Sequence, residues 1–183
     1  ACQHRRVHPF TNASPGGWGW NDASGAVPDA DDTSGALLAL AAHGRPTMLR
    51  TDVSLAAQEA VQWLLDLQND DGGWPTFCRG WGALPFDRSS VDITAHALRA
   101  LARWRELATA WPARAAQRID AGTVRALAHL RQTQRTDGSW AALWFGNQYR
   151  TEEENPVYGT ARVLLAYRDL GRSEAPEARR GRH

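Results

Sequence analysis

An all-α fold is what the sequence predicts, on three observations. Apolar residues recur with the 3.6-residue period of helices along most of the chain. No run alternates with the period of two that marks a half-buried strand. Two apolar helical stretches also close with one shared spacing, Gln-x3-Gly-x-Trp, which points to a helical unit used more than once.

The elements follow in order. A first helix is predicted from Asp32 or Thr33 to His43, ended by Gly44 and Pro46. A second starts at Ser54, a good N-cap, and carries Leu55, Val61, Trp63, Leu64 and Leu67 to Gln68. A third begins near Ser90, turns Val91, Ala95, Leu98, Leu101 and Ala102 to a core, and fades before Pro112. The stretch from Pro112 to Ile119 adds a turn or two. Asp120 then caps a fourth helix, with Val124, Leu127 and Leu130 on its buried stripe. The last helix runs from about Gly159 to Leu170. Residues 1–171 are expected to form one domain, and residues 172–183, polar and rich in Arg, a disordered tail.

The repeat has a physical sense. Gln68, Gly72 and Trp74 form one copy, and Gln134, Gly138 and Trp140 the other; Asn12, Gly16 and Trp18 read as a worn third. Glycine lets the chain reverse just past a helix, and the amide bonds free backbone groups at helix ends.

Composition bounds the function. The chain has 183 residues, 43% hydrophobic and 22% charged, enough for a real core. A net charge of +1 points to no nucleic acid or anionic surface. All 21 basic residues are Arg. Cys2 and Cys78 make no disulfide framework, so a reducing cytosol is the default. No apolar run approaches the ~20 residues of a membrane span, and no signal peptide is visible. Beginning with Ala in loop-like sequence, the chain is expected to be the C-terminal piece of a longer protein. Its nine tryptophans outnumber its four phenylalanines, and most sit beside Gly or Pro.

The segment "VPDADDTSGALLAL" places Asp29, Asp31 and Asp32 just before an apolar run. One or two carboxylates there would cap a helix and meet its dipole. The third is in excess of that need. Mutual repulsion raises at least one pKa, so one carboxyl can keep a proton near neutral pH and serve as a donor. The cluster titrates as a unit. Asp92 and His96 stand four apart, on one face of the third helix.

Taken together these segments resemble the triterpene cyclases. Ala60, Trp63, Leu64, Gln68, Gly72 and Trp74 are similar to their QW motif. So are Arg125, Ala126, Leu130, Gln134, Gly138 and Trp140, with His129 in the aromatic's place. "PDADDT" resembles the DxDD acid motif of the squalene–hopene cyclases, and "VDITAH" their second acidic segment; "GGWGW" and "VYGT" are similar too. The resemblance covers most of residues 12–170. It implies an α/α toroid of helical hairpins, incomplete in this chain, and the catalytic domain of a squalene–hopene-type class II terpene cyclase. The implied reaction is protonation of a terminal alkene of squalene, then cationic ring closure to a hopanoid-type triterpene.

By the same resemblance Asp31 is the acid, His96 hydrogen-bonds it, and Asp92 completes the cluster with Asp29 and Asp32. Trp20, Trp81, Trp144 and Tyr158 are the candidates for lining the cavity, since aromatic faces attract cations without capturing them. No metal and no organic cofactor is implied. The implied partners are squalene or a related polyprenoid, an N-terminal α-barrel domain outside this chain, and a membrane surface met through the full-length protein; no nucleic acid is among them. The implied location is cytoplasmic and peripherally membrane-associated. Two departures touch the cavity wall. "GGWPTFCRGWG" omits a tyrosine-bearing loop of the family, and "QYRTEEENP" enlarges the link between Trp144 and Tyr158.

Rival readings remain open. A glycoside-active α/α toroid would use Asp31 and Asp92 as its acid pair. A zinc-dependent protein prenyltransferase would draw on Cys78 and His96, although that family's Asp-x-Cys pair is missing. A cyclase of another polyprenoid, or a fragment unable to exclude water and turn over, complete the set.

Overall fold

Entry into the first helix is fixed by a carboxylate. Asp29 adopts an extended backbone (φ −136°, ψ 165°), and its side chain accepts the Asp32 N–H, which starts α1 (Ala30–Ala42). The computed structural model describes residues 3–23, 25–43, 51–77, 87–107 and 111–183. Five more helices follow: α2 (Thr51–Leu67), α3 (Val91–Leu107), α4 (Ala113–Thr133), α5 (Pro156–Asp169) and α6 (Pro176–Gly181). Among the described residues there are no strands, only isolated backbone bridges such as Trp18 to Asp29 and Asp29 to Phe77. The architecture is all-α, part of a toroid of helical hairpins.

Helix α3 is the centre, packed against α1, α4 and α5, while α2 lies on α1 and α4. Its core face carries Ile93, Ala97, Leu98, Leu101 and Trp104, all essentially sealed from solvent. The Trp104 indole donates to the Leu37 carbonyl of α1 at 2.9 Å and stacks on Trp111 at 5.4 Å. A large apolar ring is thereby buried with its one donor satisfied.

The Gln-x3-Gly-x-Trp unit is a helix-to-helix fastener. The Gln68 amide donates to the Gly72 carbonyl at 2.8 Å and to the Gly122 carbonyl of α4 at 2.9 Å. Gln134 does the same to Gly138 at 2.8 Å and to Glu177 of α6 at 2.9 Å. Each unit's indole reaches back into its own helix, Trp74 to Leu64 and Trp140 to Leu130, both at 2.7 Å. Gly72 (φ +91°) and Gly138 (φ +86°) occupy the left-handed region that favours glycine. A Cβ at either would lie 2.4 Å from the carbonyl oxygen of Arg125 or Arg180.

Four expectations are corrected. The worn third copy does exist around Gly16 and Trp18, but its amide comes from Gln3, not Asn12. Gln3 donates to Gly16 at 3.0 Å and to Ala56 of α2 at 2.9 Å. Asp120 caps nothing: α4 runs unbroken from Ala113, and Asp120 pairs with Arg105 of α3 at 2.8 and 3.1 Å. On that helix Val124 points outward, 67% exposed, because α3 and α2 cover the Leu127 and Leu130 side. The tail of residues 172–183 carries α6, with Ala178 1% exposed, because the Gln134 fastener needs a helix end to hold.

Candidate active site

Two loops converge on the start of α1. The Asp29 N–H donates to Trp18 O at 3.0 Å, and the Ala30 N–H to Thr76 O at 3.0 Å. These bonds hold the three carboxylates in one place and turn each to a different environment.

Asp29 faces inward, 4% exposed, with Oδ1 2.6 Å from the Asp32 N–H. Its pKa is pushed up to about 9, first by burial and then by a hydrogen bond with the Asp32 carboxylate. It is therefore the member of the cluster that keeps a proton at neutral pH. Asp31 turns the other way, across to α3. Its Oδ1 lies 2.5 Å from His96 Nδ1 and 3.7 Å from Arg162 Nη2 of α5. The His96 hydrogen bond, ahead of any other influence, pulls its carboxyl below the usual carboxylate range. Its side chain remains 42% exposed.

Asp92 is sealed at 1% exposure and accepts the Ser90 hydroxyl. Ser90 Oγ accepts in turn the Leu143 N–H at 3.1 Å, which ties this acid to the segment after Trp140. The second carboxylate oxygen of Asp92 has no hydrogen-bond partner among the described residues. Asp31 of α1 thus meets His96 of α3 and Arg162 of α5, so the three helices come together at one point.

The aromatic residues surround this point unevenly. Trp20 meets Phe77 edge-on at 6.4 Å and is 55% exposed. Trp144, 37% exposed, donates its indole N–H to Thr76 Oγ1, beside the loop that holds α1. Tyr158 lies against Phe145 at 5.0 Å and under the Arg162 guanidinium at 5.9 Å. Trp81 and Cys78 lie outside the described residues. The structure thus brings together Asp29, Asp31, Asp32, Asp92, His96 and Tyr158, with Trp20 and Trp144 on the rim. Asp31, Trp20 and Trp144 are all partly exposed to solvent. A hollow of about 520 Å³ lies elsewhere, lined by Asn12, Glu59, Trp63 and Asp66 among others.

Three further residues belong to the site beyond those the sequence singles out. Arg162 stands four after Tyr158, a spacing that puts both on one helical face, and that signal is readable. Ser90 reads as a helix start, although its hydroxyl serves Asp92. Thr76 gives no signal, since its role is a backbone carbonyl and a hydroxyl in a loop.

Comparison with known proteins adds three relatives and one fold. The chain is 30% identical to a probable squalene–hopene cyclase of Sinorhizobium fredii over 87% of its length and 24% of the relative's. It is 28% identical to sporulenol synthase of Bacillus subtilis over 92% of the chain and 26% of that protein. It is 30% identical to enfumafungin synthase of Hormonema carpetanum over 81% of the chain and 11% of that protein. The chain therefore spans about a quarter or less of these relatives. A family 10 polysaccharide lyase from Cellvibrio cellulosa, solved with trigalaturonic acid, superposes with a TM-score of 0.66 over 96% of this chain and 63% of the lyase. At 18% identity that likeness is one of fold alone. The model of the squalene–hopene cyclase C-terminal domain matches residues 7–180, and the chain belongs to that family.

Proposed function

We propose that the intact protein is a class II terpene cyclase whose proton donor is Asp31. The observation that carries this reading is the 2.5 Å pairing of Asp31 with His96 across the α1–α3 contact, with a protonated Asp29 behind it. Asp29 is too deeply buried to touch a substrate. Its proton, shared toward Asp32, removes one negative charge from the cluster and leaves Asp31 as the member that can load and deliver a proton.

The chemistry needs water excluded. In this chain Asp31 is half-exposed and ionised, a state in which it protonates nothing. Covering Asp31 would desolvate it and raise its pKa toward that of an acid. The N-terminal α-barrel domain is the cover this reading requires. With the site dry, the alkene π pair takes the Asp31 proton. A C–H bond forms, and positive charge appears on the neighbouring carbon. Successive alkenes close rings onto that charge, passing the faces of Trp20 and Trp144, until proton loss or water capture ends the sequence. Squalene, or another polyprenoid of that kind, is the substrate.

The sugar-active reading is weaker at this site. Asp92 is sealed beneath Ser90, so it cannot face Asp31 across a glycosidic bond as the second acid of a pair. Among the described residues no helix is long and apolar enough to cross a membrane. The test is Asp31→Asn in the intact protein, with squalene as substrate. Turnover should fall at least about 100-fold with the circular dichroism spectrum unchanged; full activity in the Asn variant removes Asp31 as donor.

A further inference from the structure

The first fastener carries something the other two lack. In the second and third copies the glutamine stands 4 positions before its glycine, whereas Gln3 stands 13 before Gly16. The amide makes the same bond in all three, so the fastener has no use for the added length. The added loop opens with His4, Arg5, Arg6, Val7 and His8, two histidines and two arginines within five positions. The net charge of +1 for the whole chain hides this local excess.

Backbone bonds fix the loop at both histidines. His4 donates its N–H to Gly17 O at 2.9 Å and accepts the Gly16 N–H at 2.8 Å. His8 donates to Ala13 O and accepts from the Asn12 N–H, both at 2.9 Å. The two imidazoles lie 5.5 Å apart, centre to centre. With Arg5, Arg6, Asn21 and Asp22 they line a hollow of about 780 Å³, within the range of small-molecule sites. Asp22 is the one carboxylate among those lining residues. Arg5 meets Glu59 at 3.8 Å, too long for a hydrogen bond, and Arg6 has no carboxylate partner among the described residues.

His8 holds the polar atom that asks for a ligand. The residue is 1% exposed, and its Nε2 has no partner among the described residues. Its Nδ1 lies 3.0 Å from Thr11 Oγ1, which also accepts the Ala13 N–H at 3.4 Å. Having accepted that bond, the threonine spends its own proton on Nδ1, which assigns the ring proton to Nε2. A buried N–H without an acceptor is costly until one is supplied. Burial, and then His8 beside it, holds the His4 pKa below 6.5. A cation in the hollow would add to the repulsion between these groups, and an anion relieves it. A phosphoryl group, with three oxygens and about two negative charges, matches two guanidiniums and two imidazoles better than a carboxylate does.

We propose that the hollow lined by His4, Arg5, Arg6 and His8 is an anion site for a phosphoryl group, borne by a small phosphate ester or by a lipid headgroup. The site is independent of the reading of Asp31 as donor.

The test uses the intact protein. Pyrophosphate and inorganic phosphate are titrated by calorimetry, and vesicles of phosphatidylcholine with and without phosphatidic acid are tested by co-sedimentation. Saturable binding of pyrophosphate is expected below about 10 mM. Arg6→Ala and His4→Leu should each weaken it at least about tenfold, the equivalent of one charge-assisted hydrogen bond. Arg6 is exposed and His4 partly so, and an unchanged circular dichroism spectrum checks that both variants fold. Arg172→Ala, beside α6, should bind as the unaltered protein does. Capture by phosphatidic acid vesicles alone, lost in Arg6→Ala, upholds the site and names the headgroup as its source. Binding of neither probe, or equal binding by Arg6→Ala, His4→Leu and the unaltered protein, overturns the inference. So does a loss in Arg172→Ala as large as that in Arg6→Ala.

Discussion

The amide of Gln3 reaches the carbonyl of Ala56 at 2.9 Å, the same bond that joins Gln68 to Gly122 and Gln134 to Glu177. The three copies differ at the other end of the amide. Arg125 donates to Gln68 Oε1 and Arg180 to Gln134 Oε1, each three residues past the carbonyl that the glutamine holds. The corresponding position beyond Ala56 is Glu59, and Gln3 Oε1 is buried without a partner among the described residues.

Glu59→Arg should therefore stabilise the fold. An added hydrogen bond to a buried acceptor contributes about 0.5–1.5 kcal/mol, equivalent to a rise of roughly 1–6 °C in Tm. The substitution gives up an exposed ion pair with Arg5 at 3.8 Å, which contributes little. Thermal unfolding of the two proteins decides it: a lower Tm in the variant would show that the first copy is not built like the others.

The fastener glycines should rank by what lies around them rather than by φ alone. Gly72→Ala and Gly138→Ala each push a Cβ to 2.4 Å from a carbonyl oxygen in the left-handed region, and should cost more than about 2 kcal/mol. Gly171 shares the positive φ at +67°, but a Cβ there would meet nothing within 4 Å among the described residues, so its Ala variant should lose only about 1 kcal/mol. Urea midpoints of the three variants test the order; equal losses would leave backbone strain as the whole cause.

Much of this fold is legible in the sequence, for reasons the residues make plain. The helices announce themselves by period, and the repeat by a fixed spacing within one continuous segment. The acid cluster is readable because three carboxylates in four positions exceed what a cap requires. Gln3 is not readable, since its role depends on a chain reversal that brings it beside Gly16 and Ala56. Asp120 looks like a cap because a carboxylate near an apolar stripe has two uses, and only the position of Arg105 on α3 selects between them. The different charge states of Asp29 and Asp31 are hidden for the same reason: their neighbours are His96, Arg162 and the buried loop around Trp18, all distant in sequence.

His129 supplies a pH-dependent weakness. It fills a buried position at 5% exposure, its Nε2 has no partner among the described residues, and Asp71 lies 3.5 Å from Nδ1. Burial holds its pKa below the ordinary value of 6.5. A depressed histidine pKa means the unfolded chain binds the proton first, so stability present above pH 6.5 is lost as pH falls through the folded-state value. His129→Phe should abolish that part of the acid-side loss. Whatever the phenyl ring changes in packing is common to both pH values and cancels in the slope. Unfolding free energies at pH 7.5 and 5.5 measure it, and an unaltered slope in the variant would place the acid sensitivity elsewhere.

Asp29 carries the opposite dependence. Its folded-state pKa, about 9, stands above the value near 4 of the unfolded chain. The folded state thus holds a proton that the unfolded state gives up, and stability present below about pH 4 is lost progressively as pH rises toward 9. Asparagine can still accept the Asp32 N–H, so the cap survives, and its amide can still donate to the Asp32 carboxylate as the protonated acid does. Asp29→Asn should therefore leave stability at pH 4 nearly unchanged and raise it on the order of 5 kcal/mol at pH 8. Denaturant unfolding at the two pH values tests this directly. If the Asn variant were less stable at pH 8, Asp29 would be an ordinary ionised cap, and the proton assigned to it would have to reside on Asp31 or Asp32 instead.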